Sequence, residues 1–208
     1  ALRCGADFAG ATQAVAYGEE LRLGAVTVSF HPAGHVLGSA QILLSFGGRR
    51  IVVSGDYKRQ ADPTCVGFEP VACDCFITEA TFGLPVFRHP DPAGEIGKLL
   101  ASLHLFPERS HLVGAYALGK AQRVIALLRA EGYERPIFLH PGLAKLTDYY
   151  VSTGLALGEL RLLAAADSAK LAGEIVLCPP MGLEDLALRS DIEPRKIFAS
   201  GWMRVRAR

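Results

Sequence analysis

Apolar and polar residues alternate over residues 26–31 in the manner of a half-buried β-strand. Two further β-rich runs, 40–46 and 49–54, are separated by Gly47-Gly48. A Gly-Gly pair between apolar runs is typical of a tight hairpin, because both positions tolerate positive φ. A short strand is also predicted at 71–78. The first half of the chain is therefore expected to be mostly β, with polar residues where the strands end.

The pattern changes near residue 91, where Asp91 can cap a helix that has Pro92 at its first position. Strands and helices then alternate. Strands are predicted at 111–115, 136–140, 174–178 and 196–200, and helices at 120–131, 143–153 and 183–189. Such alternation favours a parallel α/β layer structure. We place the boundary between the two parts near residue 108.

Composition narrows the classes of function. Half of the residues are apolar and 21% are charged, which is typical of an ordered globular chain. A net charge of +1 gives no global case for nucleic acid, so any binding surface would be local. No apolar run reaches the length of about 18 residues that a membrane span needs. The five cysteines are irregularly spaced, and we interpret them as buried thiols of a reducing cytoplasm.

Three potential metal-site residues follow the predicted strands of the first half. His35 comes directly after Gly34, where a sharp turn can point the imidazole into a cleft. Asp56 follows an apolar strand, at a sheet edge where its carboxylate can reach an ion. Glu79 lies among apolar residues and threonines, where an unpaired carboxylate is costly, and we expect it to orient a histidine. The alternatives are a surface histidine, a turn aspartate and a structural ion pair.

Candidate nucleic-acid contacts are basic or polar residues near glycine turns. Residues 114–122 form a strand, a glycine turn and a helix start, where Lys120 and the free amides would favour phosphate. An ordinary strand-to-helix turn is the alternative. Arg123 on the same helix and Ser39 beside His35 are further candidates. Basic residues near the end of the chain could contact phosphate or form a solvated face; they are Arg195, Lys196, Arg204, Arg206 and Arg208.

Four segments in order resemble the β-CASP branch of the metallo-β-lactamase superfamily, whose members process RNA 3′ ends or repair DNA. They are residues 33–39, 54–57, 78–83 and 117–122, and the resemblance extends from about residue 24 to residue 202. Residues 54–59 and 198–204 look most like the bacterial ligase-associated DNA exonucleases.

The resemblance implies an α/β protein with three parts. Residues 1–108 would be a partial metallo-β-lactamase αββα sandwich. Residues 109–203 would be an inserted β-CASP lobe with a parallel sheet, which closes over the substrate cleft. Residues 204–208 would be a basic, truncated end.

The resemblance also assigns roles to the candidate residues. His35 would be a ligand of one metal, Asp56 would bridge two zinc ions, and Glu79 would hold a histidine in place. The His-x-His-x-Asp-His motif of the family does not occur in this sequence, and it would lie before Ala1. We therefore expect a fragment that binds zinc weakly and is inactive by itself.

The intact protein is expected to be a two-zinc DNA exonuclease of DNA repair, acting on single strands or ends. An ATP-dependent DNA ligase and a helicase are the partners that the resemblance implies. An RNA-processing nuclease of the same branch is one alternative. A catalytically silent scaffold subunit is another, although retention of His35, Asp56 and Glu79 argues against it. The inserted lobe disfavours a lactamase-like hydrolase of small molecules.

Overall fold

The structure, a computed structural model, describes residues 12–87, 90–164, 171–188 and 193–201. The chain divides into two units, Ala1–Thr81 and Phe82–Arg208. Among the described residues, each unit contains one five-stranded sheet. The α/β class predicted from the sequence is confirmed.

The sheet of the first unit has the strand order β1-β2-β3-β4-β5. Its strands are β1 (Glu20–Leu23), β2 (Val26–Pro32), β3 (Ala40–Phe46), β4 (Arg49–Val53) and β5 (Cys75–Ile77). The first three neighbouring pairs are antiparallel, whereas β4 and β5 are parallel. The carboxyl ends of β2, β4 and β5 therefore lie at the same edge of the sheet. The prediction missed β1, and the strand predicted at 71–78 is confined to β5.

The hairpin between β3 and β4 has the predicted turn. Gly47 and Gly48 have φ values of 55° and 75°. Two consecutive positive φ angles are the signature of a type I′ turn, which matches the twist of the two strands it joins.

The two faces of this sheet differ. On one face, register aligns apolar residues from neighbouring strands, such as Leu44 opposite Ile51 and Val53 opposite Ile77. Ile51 and Ile77 are exposed. Residues 57–74 contain no helix or strand, and we call them the covering loop; they contact the other face, where Leu43 and Val52 are buried. The Tyr57 ring of this loop packs against Phe76 of β5, with ring centroids 6.1 Å apart.

The second unit is a parallel sheet with helices, as the alternating pattern predicted. Its helices are α1 (Pro92–Leu105), α2 (Lys120–Ala130), α3 (Pro141–Ser152) and α4 (Gly182–Leu188). Its strands are β6 (His111–Gly114), β7 (Ile137–Leu139), β8 (Leu160–Leu162), β9 (Ile175–Cys178) and β10 (Arg195–Phe198). The strand order is β10-β6-β9-β7-β8, and every pairing is parallel.

Helix α1 lies in the second unit, so the structural division after Thr81 differs from the boundary placed near residue 108. Asp91 caps this helix as predicted, accepting a hydrogen bond from the Ala93 amide at 3.2 Å. The reason for the difference is the apolar face of α1, where Ile96 and Leu99 join the core around β6, β7 and β9. Which residues form the inserted lobe of the family stays a prediction, and residues 204–208 lie outside the described part.

None of the helices in the described residues combines the length and apolar character that crossing a bilayer requires. The cysteines in this part of the chain form no disulfide. Cys178 is buried, and burial raises the pKa of its thiol to about 11. Cys75 is exposed, so the expectation of uniformly buried thiols is wrong.

His111, the first residue of β6, is fully buried and links that strand to α1. Its Nδ1 lies 3.2 Å from the Arg109 carbonyl oxygen, and its Nε2 lies 2.9 Å from the Ser102 hydroxyl. The carbonyl can only accept, so Nδ1 carries the proton and Nε2 accepts from Ser102 in the neutral ring. Burial lowers the pKa of His111 below its ordinary value.

A lowered pKa in the folded state means that the unfolded chain binds the proton more readily. We therefore expect the free energy of unfolding to fall as the pH falls below about 6.5, the ordinary pKa of histidine. Urea unfolding at pH 7.5 and pH 5.5 measures this loss. His111→Asn should reduce the pH dependence, whereas His104→Asn, an exposed histidine of α1, should preserve it. Equal pH dependence in the wild type and His111→Asn would contradict the assignment.

Candidate functional site

The turn that carries His35 follows β2 and is held by its own hydrogen bonds. The Ala33 amide donates to the Ser39 carbonyl oxygen at 3.1 Å. The Ser39 hydroxyl oxygen accepts from the amides of His35 at 3.0 Å and Val36 at 3.2 Å. These bonds fix the backbone of His35 while 45% of its side chain stays exposed. Ser39 therefore shapes the turn, and its proposed contact with nucleic acid stays a prediction.

Gly34 makes this turn possible through both its conformation and its size. Its φ is +69°, in the left-handed region that the sequence analysis expected a glycine to supply. A Cβ at this position would lie 2.6 Å from both the Lys58 carbonyl oxygen and the Phe68 amide nitrogen. The covering loop thus lies directly against the backbone of Gly34.

Asp56 follows β4 and lies near His35, although β3 separates their strands in the sheet. Asp56 Oδ2 is 4.0 Å from His35 Nε2. The carboxylate is 77% exposed, so both side chains are accessible to solvent. The structure therefore brings together the two residues that the sequence analysis nominated as metal ligands.

Glu79 follows β5, and Ser54 connects it to the segment of Asp56. Ser54 is fully buried, and its hydroxyl donates to the Gly55 carbonyl oxygen at 2.8 Å. The Ser54 hydroxyl oxygen in turn accepts from the Glu79 amide at 3.3 Å. The Glu79 carboxylate accepts from the Thr81 amide at 2.6 Å. Within the described residues no histidine donates to Glu79, so its role in orienting a histidine stays a prediction.

The donor set at this edge suits zinc in kind and is incomplete in number. An imidazole nitrogen and a carboxylate oxygen are both ordinary zinc ligands. A catalytic zinc ion usually has three protein ligands, and the described residues contain no group of three or more potential ligands. His35 and Asp56 thus fit part of a zinc site.

The candidate phosphate site of the second unit differs from the expectation. Lys120 is the first residue of α2, after Gly119, as predicted. The Lys120 amide, however, donates to the Leu118 carbonyl oxygen at 2.9 Å, and the Ala121 amide donates to the Tyr116 carbonyl oxygen at 3.0 Å. These two amides complete the turn, so the phosphate interpretation depends on the side chains of Lys120 and Arg123.

Two other basic residues of the second unit have partners within it. Lys196 Nζ lies 2.9 Å and 3.0 Å from the carboxylate oxygens of Glu184. The Arg195 guanidinium lies over the Phe106 ring, 4.5 Å from its centroid. Phosphate contact by Arg195 and Lys196 stays a prediction, while Arg204, Arg206 and Arg208 lie outside the described residues.

Sequence reasoning missed two groups of residues that support this edge. Ser54 could have been noticed as a small polar residue directly before Gly55-Asp56. His31 lies four positions before His35, but Pro32 and Gly34 between them exclude the helix that would align the two rings. Its imidazole Nδ1 lies 3.0 Å from Glu69 Oε1, a contact across 38 positions that no local pattern indicates.

Comparisons with known proteins identify relatives of the chain. No family model matches it. It is 33% identical over 182 residues to a protein of Opitutus terrae named probable DNA ligase, covering 84% of this chain and 17% of that protein. It is 31% identical over 141 residues to the cleavage and polyadenylation specificity factor subunit 3 of Dictyostelium discoideum (63% and 18%). It is 34% identical over 135 residues to the endoribonuclease ysh1 of Emericella nidulans (62% and 14%).

The chain spans about a sixth of the length of these curated relatives. A solved structure of a protein of unknown function from Enterococcus faecalis V583 superimposes with a TM-score of 0.50 at 14% identity. The match covers 95% of this chain and 47% of that one. At this identity the match supports a shared fold and nothing about activity.

The contact between Gly34 and the covering loop predicts a large effect of a single methyl group. Gly34→Ala should lower the free energy of unfolding by about 3 kcal/mol or more, because positive φ and a backbone clash act together. Gly38→Ala is the matched control, since φ is +76° there and no atom lies within 4 Å of the added Cβ. Gly38→Ala should lower the free energy of unfolding by about 1 kcal/mol. Equal losses in urea denaturation would show that the close approach does not matter.

Proposed function

The chain is homologous to nucleases of the β-CASP branch of the metallo-β-lactamase superfamily, and we propose on this basis that it is part of a metal-dependent phosphodiesterase. The observation that carries the proposal is the pairing of His35 and Asp56 at the shared carboxyl edge of β2, β4 and β5. His35 and Asp56 are 21 positions apart in the sequence, and they bring donors suited to zinc together. Glu79 follows β5 at the same edge.

The first sheet supports the finer proposal of a partial αββα sandwich. Sheets of a sandwich pack through apolar faces about 10 Å apart. The face that carries Leu44, Ile51 and Ile77 has this apolar character, and Ile51 and Ile77 are exposed on it. A second sheet would bury these side chains. The covering loop already occupies the opposite face.

Zinc would be held in part by His35 and Asp56 in this proposal. When bound, zinc lowers the pKa of water and polarises a phosphoryl oxygen. Asp56 offers two carboxylate oxygens and could therefore bridge two ions. The backbone bonds of Ser39 and Ser54 hold the segments from which His35, Asp56 and Glu79 project. The other ligands would come from segments of the full-length protein that correspond to the parts of the relatives not spanned by this chain.

Nucleic acid is the substrate class that best fits the relatives. The alignment with the protein named probable DNA ligase covers the largest share of this chain among the relatives given above, which favours a DNA exonuclease of repair. An RNA-processing nuclease is the second candidate, favoured by the relatives named endoribonuclease. Lys120, Arg123 and Ser39 would contact the phosphate backbone in either case. A DNA ligase and a helicase are proposed partners of the DNA enzyme.

Asp56→Asn tests the metal site and the reaction together. In the full-length protein we expect this substitution to remove bound zinc and to lower cleavage by at least about 100-fold, because a neutral amide is a poor zinc ligand. Zinc content and cleavage of labelled single-stranded DNA and RNA are measured side by side. Asp148→Asn, an exposed carboxylate of α3, is the control and should change neither.

The outcomes of this experiment separate the candidates. Preference for DNA or for RNA decides between the two nucleases. Retention of zinc and cleavage in Asp56→Asn would show that Asp56 is not a ligand. A wild-type protein that neither binds zinc nor cleaves would support the scaffold subunit instead.

Lys120→Ala tests the nucleic-acid contact of the second unit. Loss of one phosphate contact should weaken substrate binding several-fold, with little effect on zinc content. For a single strand, the slope of log K against the logarithm of the salt concentration should become shallower by about 0.7. Lys145→Ala, an exposed lysine of α3, is the matched control. Affinity is measured by fluorescence anisotropy at several salt concentrations. An unchanged slope in Lys120→Ala would remove Lys120 from the interface.

A further inference from the structure

A hydrogen-bonded chain of three side chains lies beside the candidate metal site and has no part in the proposed reaction. Glu69 Oε1 is 3.0 Å from His31 Nδ1, and His31 Nε2 is 3.1 Å from the Ser29 hydroxyl. A carboxylate can only accept, so His31 carries its proton on Nδ1. In the neutral imidazole, Nε2 then accepts from Ser29. Glu69 thereby fixes both the tautomer and the orientation of this ring.

This arrangement has the order of a nucleophilic triad, but its burial excludes that role. Ser29 is only 6% exposed. It lies within β2, paired with Glu20 of β1 on one side and Leu43 of β3 on the other. A substrate carbonyl or phosphoryl group cannot reach a hydroxyl that is buried in the middle of a three-stranded ladder. The function of these three hydrogen-bonded side chains must therefore lie in the parts of the structure that they hold in place.

Glu69 anchors the second half of the covering loop to the end of β2. Its amide donates to the Pro32 carbonyl oxygen at 3.1 Å. The Gln41 side chain, which is 1% exposed, donates to the carbonyl oxygens of Pro32 at 3.0 Å and of Glu69 at 2.7 Å. A buried amide from β3 thus joins the loop and the strand, and the Glu69 carboxylate adds the bond to His31.

The near end of the covering loop reaches the same place. The Lys58 amide donates to the Ala33 carbonyl oxygen at 2.9 Å. Lys58 also pairs with Asp62, whose carboxylate accepts from the amide and hydroxyl of Thr64. Burial would raise the pKa of Asp62, but the bonds from Lys58 and Thr64 outweigh burial and lower it. The loop is therefore braced internally and closes on the residues that precede His35.

The path of the chain connects these anchors to both metal-ligand candidates. Asp56 is two residues before Lys58, and His35 is the residue after Gly34, whose backbone contacts Lys58 and Phe68. A shift of the covering loop would therefore move the backbone next to both ligands. A long loop without secondary structure in a compact unit is usually functional, and this one contacts the residues before His35 through Lys58 and again through Phe68 and Glu69.

We propose that Glu69, acting through His31, is a positioning residue that holds the covering loop against the turn of His35 and so sets the His35–Asp56 pair. This inference rests on the proposed function, because the pair matters only if it binds metal. The Glu69–His31 contact is half exposed and contributes little to stability by itself, since Glu69 is 50% exposed. Its effect is on the orientation of the metal ligands, and metal affinity depends strongly on that orientation.

The experiment compares Glu69→Ala with the near-isosteric Glu69→Gln in the full-length protein. The glutamine oxygen can still accept from His31 Nδ1, so it should restore what alanine removes. Hydrogen exchange of the Lys58 and His35 amides is followed by NMR, together with the tautomer of His31. Zinc affinity is measured in the same samples by competition with a chromophoric chelator. Glu20→Ala, an exposed glutamate of β1, is the control.

We expect Glu69→Ala to speed exchange of both amides about threefold. It should weaken zinc binding about tenfold, the lower end of the effect of outer-shell partners. Glu69→Gln and Glu20→Ala should behave like the wild type in both measurements. Unchanged exchange and unchanged affinity in Glu69→Ala would overturn the inference, as would faster exchange with no loss of affinity. If the wild type itself binds no zinc, the proposed metal site fails, and the inference that depends on it fails with it. Unchanged exchange in Glu69→Ala then shows that the anchor is also wrong, whereas faster exchange shows an anchor without a metal site.

Discussion

Gly34 lies against the backbone of the covering loop with no side chain between them, and the arrangement of the first unit depends on that contact. The Lys58 carbonyl oxygen and the Phe68 amide both occupy the space that a Cβ would need. Because the loop can approach this closely, Lys58 and Glu69 reach the carbonyl oxygens of Ala33 and Pro32. The chain on either side of the contact leads directly to the two candidate metal ligands.

The sheet supplies the second part of the geometry. In a sheet where β2, β4 and β5 point the same way, residues that follow these strands collect at one edge, whatever their separation in sequence. His35, Asp56 and Glu79 all follow such strands. Ser54 then joins two of the segments through a buried hydroxyl, at a place where an unpaired polar group would be costly. Strand direction and one buried side chain thus account for most of the cluster.

Local pattern predicted the elements whose signals lie within a few residues. The Gly47-Gly48 hairpin, the Asp91 cap and the alternation of the second unit are of this kind, and the structure confirms them. Strand β1 was not predicted because its four residues, at the edge of the sheet, are too few to show an alternating pattern. The strand predicted at 71–78 was too long because residues 71–74 belong to the covering loop and only Cys75–Ile77 pair with β4. Helix α1 packs with the second unit, although the predicted boundary near residue 108 places it in the first part, because packing partners are not visible in periodicity.

The sequence by itself determined the types of chemistry at the site. It contained an imidazole after Gly34, a carboxylate after an apolar strand and a second carboxylate after another, and these suggest a metal site without showing that they meet. Only the tertiary structure decided that His35 and Asp56 lie 4.0 Å apart, and that Glu69 contacts His31. The physical reason is that residue type and turn propensity act over a few residues, whereas strand order and loop closure bring together residues 21 or 38 positions apart.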